Sequence, residues 1–563
     1  MKGLLGSLLL WTSTVSLVWG QEQQTDVAVS NQNTTSTTTS CSLLGLVPFD
    51  YPVRSKQVPY KSYQLPQLLD GNATEAPPPY AVTHAAAALL AVDHFNARDN
   101  SLVPALQEYT SDCSLTIDDL VIANTQNKEG VVPRIIYDYV FERGGKTPCA
   151  VLGGYSDGPT REAAVVANGM KTVTITHGSE DPRLGGAVNP DTTQMCSNQH
   201  PTGEAIANWL RSKGRTDFLT ILHTSQEYAI TFGDAVNNAA VESNFTSVEQ
   251  KRVGPPYDGS DPNDSFLLSL QEIKKSTWKT IVVILTRYNL PPTPTLPILA
   301  DAAEALKMNG DDFVWVFVLP DHQTLGEFVE YSSNTSMNTS KLVQGSAVVR
   351  SLDDATLPDS SFQKVWKEQD ESFVERLNQL LPKKYAGLPP NYFQQYLPEA
   401  GAGYMYDSVM VAAMGKCQEA KLPPPGPPSG GKGGGGGKPN GGQEGGQGGK
   451  PNGSQGGGQG GGQGNNRNDV DRRSRRLRRS HSEDERKTKR KLQKSGPELS
   501  PHMKGITSLD FEGVTGRINY NDGNPRRIRN RNRKLLSWGV YNIREVDPQQ
   551  KEQMELQFNQ TFS

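Results

Sequence analysis

The segment Gly154-Tyr155-Ser156-Asp157-Gly158 has residue types that could do chemistry. It matches G-x-S-x-G, in which a serine on a tight strand-to-helix turn acts as an acyl-transfer nucleophile. The apolar run CAVLGG before it and the helix-forming PTREAAVV after it supply that context. A hydrolase also needs an aspartate and then a histidine downstream, and an oxyanion-hole segment upstream. His177, His200, His223, His322, His481 and His502 follow Ser156, but none lies in a strand–loop–helix setting that would present it to the serine. No HGGG-like segment precedes the turn, and too few βα units come before it. The same turn suits binding instead. A hydroxyl beside the unpaired N–H groups of a helix N-terminus favours a carboxylate. Pro159 fits the first helical turn, where it loses no hydrogen bond. The plain alternative is that Ser156 and Ser179 only cap helices.

The elements around this turn alternate between strand and helix. SLLGLVPFD, CAVLGG, TVTIT, FLTILH, TIVVIL, FVWVFVL and LVQGSAVV are short apolar or β-branched runs. Such runs suit strands buried on both faces of a parallel sheet. Between most of them lie amphipathic segments, including REAAVVANGM, TGEAIANWLRSKG, DAVNNAAVES, DSFLLSLQEIKKS and ILADAAEALKMNG. AVTHAAAALLAVDHFNARD reads as a helix with Leu89, Val92 and Phe95 on one side. A helix broken near Pro133 is expected over Asp118–Phe141, a helix over Ser360–Leu381 and another over Ala402–Cys417. Repeated βα units predict an α/β, doubly wound architecture, and the length predicts two lobes.

The remaining segments bound the class. The chain has 563 residues, with 57 Lys+Arg against 60 Asp+Glu, so its charge balance does not point to nucleic acid. Residues 1–20 have the form of a signal peptide, with Lys2 ahead of an apolar stretch and Gly20 at the cleavage point. Residues 21–40 are a Ser/Thr/Gln-rich stem. No other stretch approaches the ~20 apolar residues of a spanning helix. Sequons at Asn33, Asn72, Asn244, Asn263, Asn334, Asn338, Asn452 and Asn559 fit an exported glycoprotein. The expected location is the secretory pathway, then the extracellular space or outer cell surface. Five cysteines, Cys41, Cys113, Cys149, Cys196 and Cys417, leave at least one unpaired, and none has C-x-x-C spacing, so no metal or cofactor is expected.

Residues 421–501 form a Gly/Pro-rich and basic insert, expected to be disordered. Its RRSRRLRR run has three open readings: a solvated linker, R-x-R-R processing sites ending at Arg476 and Arg479, or an anchor to acidic groups. Residues 502–547 alternate in the β sense and are expected to complete the domain, before a polar tail at 548–563. RRIRNRNRK fits an exposed edge strand.

Six of these pieces, in order, resemble the receptor family ligand-binding region. They are AALLAVDHFNARDNSLVPAL, TSDCS with PCAVLGGYSDG, TVTITHGSEDPRL, NQHPTGEAIANWLRSKG, YMYDSVMVAAM and FEGVTGRINYNDG. The nearest members are metabotropic GABA-type ectodomains of class C G-protein-coupled receptors. The resemblance implies a two-lobed, periplasmic-binding-protein-like type I (Venus-flytrap) fold over 41–420. Lobe 1 would hold about 41–200 and 351–420, and lobe 2 about 201–350. It implies a Cys113–Cys149 disulfide and a ligand site of Tyr155, Ser156, Gly178, Ser179, His200, Tyr228, Arg287 and Tyr288. Ser156 and Ser179 would donate to a carboxylate, and Arg287 would pair with one. No acidic partner for a ligand amine stands out; Glu399 and Glu227 are the candidates.

The function so implied is that of a cell-surface receptor's extracellular domain. It would bind a carboxylate or amino-acid-like small molecule and signal by lobe closure. The implied partners are this ligand, a homo- or heterodimer through lobe 1 and a membrane-embedded signalling segment or subunit, with no nucleic acid. A secreted binding protein or co-receptor, a ligand-free scaffold and a serine hydrolase using Ser156 are the alternatives.

Overall fold

The β-branched and aliphatic runs of the sequence become short strands whose two faces are both covered, as parallel sheets require. The computed structural model describes residues 40–49, 79–422, 499–520, 538–542 and 557–562, less short internal breaks, the longest being 254–261, 286–294, 320–327 and 329–336. Described residues between Thr39 and Ser563 belong to one unit.

In the first lobe, β1 (Ser40–Val47), β2 (Thr116–Asn124), β3 (Ala150–Gly153), β4 (Val173–Thr176) and β5 (Thr192–Gln194) form a parallel sheet ordered β2-β1-β3-β4-β5. Helices α1 (Pro79–Ala97), α2 (Leu106–Thr110), α3 (Val131–Glu142) and α4 (Asp157–Gly169) belong with it. The second lobe holds α5 (Gln199–Ser212), β6 (Phe218–Thr224), α6 (Glu227–Glu242), β7 (Ser247–Val253), α7 (Pro262–Lys275), β8 (Thr280–Ile284), α8 (Thr295–Ala305), β9 (Val314–Val318), α9 (Met337–Val343) and β10 (Ala347–Ser351). Its parallel strands run β7-β6-β8-β9-β10. Each lobe therefore places its first strand between its second and third. That reversal creates a crevice at the carboxyl ends of the strands, where open α/β sheets bind ligands.

The chain then returns to the first lobe through α10 (Ser361–Lys367), α11 (Glu371–Leu380), α12 (Tyr392–Gln395), α13 (Ala402–Glu419), α14 (Pro501–Thr507) and the hairpin β11 (Asp510–Gly513)–β12 (Gly516–Asn519). It crosses once more, so that β13 (Trp538–Asn542) pairs antiparallel with β10, and β14 (Gln557–Phe562) with β13. The C-terminal residues thus contribute to both lobes.

The run Ala85–Ala88 explains how α1 lies buried on nearly every side: short side chains let it pack closely against α13 while the sheet covers its other face. Asp407 of α13, itself fully buried, fixes the hairpin. Its Oδ1 accepts from the Val514 N–H at 3.0 Å, and its Oδ2 from the Thr515 N–H at 3.0 Å and from the Thr515 hydroxyl. A Cβ at Gly513 would collide with that carboxylate, which accounts for the glycine of FEGVTG.

Several sequence expectations are corrected. Asp118–Asn124 belongs to β2, and the helix begins only at Val131. Pro133 sits in its first turn, where no intrahelical N–H is lost, so it does not break the helix. Ser360–Leu381 is two helices, because Asp370 starts a new one by accepting from the Phe373 N–H at 3.0 Å. Leu342 and Val343 end a helix, and the strand expected there begins at Ala347. His502–Thr507 is helical rather than extended, with Ser500 capping it. RRIRNRNRK and the basic run fall outside the described residues.

The cysteine pairing also differs. Cys41 bonds Cys149 and Cys113 bonds Cys417, with Cα–Cα separations of 5.5 and 5.6 Å, in place of Cys113–Cys149. The reason is strand order. β1 lies directly beside β3, and the Cys149 N–H donates to the Ser42 carbonyl at 2.8 Å. Cys113 precedes β2, on the far side of β1, where the end of α13 meets α2. Cys196 is buried and in neither disulfide, its thiol donating to the Ser179 carbonyl at 2.9 Å.

Candidate functional site

The site is built on the turn from β3 to α4. Gly154 has a φ of +49° and a Cβ there would run into Thr160, so only glycine lets the helix start this close to the strand. Ser156 is the N-cap residue, extended at φ −120° and ψ 159°, and its side chain makes no capping bond to α4. The Thr160 hydroxyl and N–H instead donate to the Ser156 carbonyl at 2.7 and 3.1 Å. Ser156 and Tyr155 are half-buried at the carboxyl edge of the sheet.

The next loop, after β4, is locked to this turn. Thr176 Oγ1 donates to the Gly154 carbonyl at 3.2 Å and accepts from the Ser179 N–H at 3.1 Å. Gly178 lies against Tyr155, 3.0 Å from where its own Cβ would be. The Ser179 hydroxyl is fully buried and donates to Asp157 Oδ1 at 2.6 Å. In this structure the Ser179 proton is engaged by Asp157, which ties the two loops together. Asp181, also fully buried, accepts from Arg161 at 3.0 Å and from Arg183 at 2.7 and 2.8 Å. Burial pushes its carboxyl up, but bonding to Arg183 and Arg161 outweighs this and holds it below the usual carboxylate range.

From the second lobe, Tyr228 near the start of α6 sends its hydroxyl to Glu180 Oε2 at 3.2 Å. Glu180 is 3% exposed. Gln199, at the start of α5, bridges the same loops. Its N–H donates to the Glu180 carbonyl at 3.3 Å, and its Nε2 to the Tyr228 carbonyl at 3.3 Å. His200 follows it on α5, with Nδ1 3.9 Å from Glu204, beyond hydrogen-bond range. The structure thus gathers Tyr155, Ser156, Gly178 and Ser179 into two interlocked loops, and brings Tyr228 to the second of them. Arg287, Tyr288 and the Glu227 side chain lie outside the described residues. Glu399 is half-buried, with its carbonyl accepting from the Ala402 N–H.

Sequence reasoning missed Glu180, Gln194 and Gln199. Glu180 carried a readable signal, being a carboxylate directly after the expected ligand serine. It also missed a buried imidazole pair. His177 is edge-on to His84 at 5.0 Å, and His84 lies 5.7 Å from Tyr155. Burial first, then His84, hold His177 well below the ordinary imidazole range. Both its ring nitrogens are buried without a hydrogen-bond partner, so it lacks the orienting carboxylate that a hydrolase histidine needs.

Among the expected glycosylation sites, Asn244 is exposed at a left-handed helix end, φ +60°. Asn338 is half-buried in α9 and its amide donates to Asp301 at 2.9 Å. Asn263 lies in α7 and Asn559 in β14; Asn33, Asn72, Asn334 and Asn452 are outside the described residues.

The sequence profile of the receptor family ligand-binding region matches residues 83–443. The chain belongs to that family. The match covers more than half of the chain and includes both lobes, though β1 before it and α14 and β11–β14 after it join the same sheets and core. No curated protein matches the chain. The family gives a receptor-type, small-molecule ligand-binding domain, and the paired parallel sheets are the two-lobed fold it implies.

Proposed function

We propose that this is the extracellular domain of a receptor that takes a small carboxylate or amino-acid-like ligand between its lobes and closes around it. The observation that carries this reading is the meeting of Tyr228 from lobe 2 with the Glu180 loop of lobe 1, beside the α4 N-terminus. A ligand touching Ser156 and Tyr228 together favours the closed arrangement, because only closure gives it both contacts. Ser156 offers the hydroxyl and α4 the N–H groups for a carboxylate. His200, Arg287 and Tyr288 belong to the same proposed site.

A thermal-shift screen against amino acids and organic acids tests this, since a ligand that binds only the folded state raises Tm. Ser156→Ala is expected to leave stability within about 0.5 kcal/mol and to weaken the hit about tenfold. Esterase turnover abolished by Ser156→Ala, with binding intact, would restore the hydrolase reading. A second reading is a ligand-free scaffold, favoured by the Ser179–Asp157 and Tyr228–Glu180 bonds that the protein makes with itself. An absence of shift with every compound would favour it.

A further inference from the structure

The sheet of lobe 2 ends in two outer edges. Its order runs β14-β13-β10-β9-β8-β6-β7, so β7 and β14 each pair on one side only among the described residues. An outer edge offers a row of main-chain donors and acceptors to any other strand, and proteins blunt such edges with charge, bulges or a cover. The two edges differ in composition. β7 carries Glu249, Lys251 and Arg252, with Lys251 paired to Glu249 at 2.8 Å and to Glu272 of α7 at 2.7 Å. β14 reads QFNQTF, with no charge, proline or glycine. A short uncharged run of that kind has the composition that stacks into cross-β assemblies. β14 is interrupted by a bulge: Val540 pairs with Gln560 and Tyr541 with Phe558, so Asn559 is the extra residue between them.

Asn559 opens the sequon Asn559-Gln560-Thr561. At the opposite edge, the sequon Asn244-Phe245-Thr246 leads directly into β7. Asn244 is exposed, and main-chain bonds close the helix end there: its N–H donates to the Val241 carbonyl at 3.0 Å, and the Phe245 N–H to the Ala240 carbonyl at 3.0 Å. A group added to the Asn244 side chain leaves those bonds intact. Asn263 and Asn338, the other sequons among the described residues, also belong to lobe 2, in α7 and α9, and the described residues of lobe 1 contain none.

We infer that N-linked glycans on Asn559 and Asn244 seal the two outer edges of the lobe 2 sheet, and that Asn559 is the decisive one because β14 carries no charge of its own. The side-chain amide nitrogen attacks C1 of an oligosaccharide carried on a polyprenyl diphosphate. The C1–O bond breaks, an N–C1 bond forms, the amide proton passes to a base of the transferase, and the polyprenyl diphosphate leaves. The product is bulky and hydrated, which keeps a second strand from lying along the edge. The inference needs an exported chain and is independent of what the cleft binds.

The test uses the full chain secreted from cultured eukaryotic cells. N-glycosidase digestion in heavy-oxygen water marks occupied asparagines for mass spectrometry, and both Asn559 and Asn244 are expected to be marked. Light scattering after gel filtration then reads the fraction of protein assembled above the parent's mass. Asn559→Gln is expected to raise that fraction. Asn559→Lys also lacks the glycan but supplies a charge at the edge, and is expected to return it to the parent's level. Asn244→Gly removes the other glycan while suiting the left-handed backbone there, φ +60°. A smaller rise is expected, since β7 keeps its charges. Where Asn559→Gln is retained in the cell, Asn559→Lys decides: its secretion supports the guard, and its retention overturns it. A secreted parent with bare Asn559, Asn559→Gln no more prone to assembly than the parent, or Asn559→Lys as prone as Asn559→Gln would each overturn the inference. If the parent is not exported, the extracellular reading fails and this inference goes with it.

Discussion

The two lobes share one strand order but are held together by different means. Lobe 1 contains every cysteine of the chain and both disulfides. One ties β1 to the start of β3, and the other ties the turn after α2 to the end of α13, across a sequence separation of 304. Asp407 adds a buried polar clasp on the hairpin. Lobe 2 has no cysteine, and its sheet is extended beyond β10 by β13 and β14 from the C-terminal end of the chain. The braced lobe is also the one that carries the Tyr155–Ser156 and Gly178–Ser179 loops. A half braced by cross-links and a half without them is the asymmetry that the proposed closure around a ligand would use.

Breaking the brace should have the largest effect. Replacing Cys113 and Cys417 with serine is expected to cost about 2–5 kcal/mol. Hydrogen exchange should then rise in α13 and α14 while β6, β8 and β9 keep their protection. Equal loss in both lobes would mean that they unfold as one cooperative unit, and the contrast would fall. Asp407→Ala is the next test. It leaves the Val514 and Thr515 N–H groups buried without their acceptor, and about 3 kcal/mol is expected, read by denaturant unfolding. Asp407→Asn, which keeps one acceptor oxygen, should lose less. If the alanine variant is as stable as the parent, the hairpin does not depend on this clasp.

The smallest effect sharpens the comparison by pH. His502 of α14 hydrogen-bonds the Ala412 carbonyl at 2.8 Å on α13, and burial, only partly offset by this bond, holds its imidazole down at about 4. Its folded value is below the unfolded one of about 6.5, so the unfolded chain takes the proton first. Its contribution is therefore complete above about pH 6.5 and lost progressively as pH falls toward 4. About 2 kcal/mol should be gone by pH 5, from the lobe 1 transition. His502→Gln is expected to flatten that slope; an unchanged slope would assign it to other groups.

Much of the lower level was legible in the sequence. Gly154 announced a turn that no other residue can make, and the apolar runs of β3, β4, β6, β8 and β9 gave their strands directly. β2 was misread because its mixed TIDDLVIAN resembles a helix face as readily as a strand, and the polar β7 escaped notice because its inner faces are only half-covered. The position of Ser156 was readable. The engagement of Ser179 by Asp157 was not, because a serine at a loop start looks the same whether its hydroxyl faces a ligand or a neighbour 22 residues away.

By itself, then, the amino-acid sequence determined that the chain alternates strands and helices, where its sharpest turn lies, and that a hydroxyl stands at that turn. Those are local matters, settled by side-chain size, branching and backbone freedom within a few residues. Only the tertiary structure decided which cysteines meet and which carboxylate Tyr228 reaches. Both depend on strand order: β1 inserted between β2 and β3 separates Cys113 from Cys149, and the crossing into lobe 2 brings Tyr228 back to Glu180. No local property of the chain encodes those proximities, because they arise when two sheets and the helices between them are packed together.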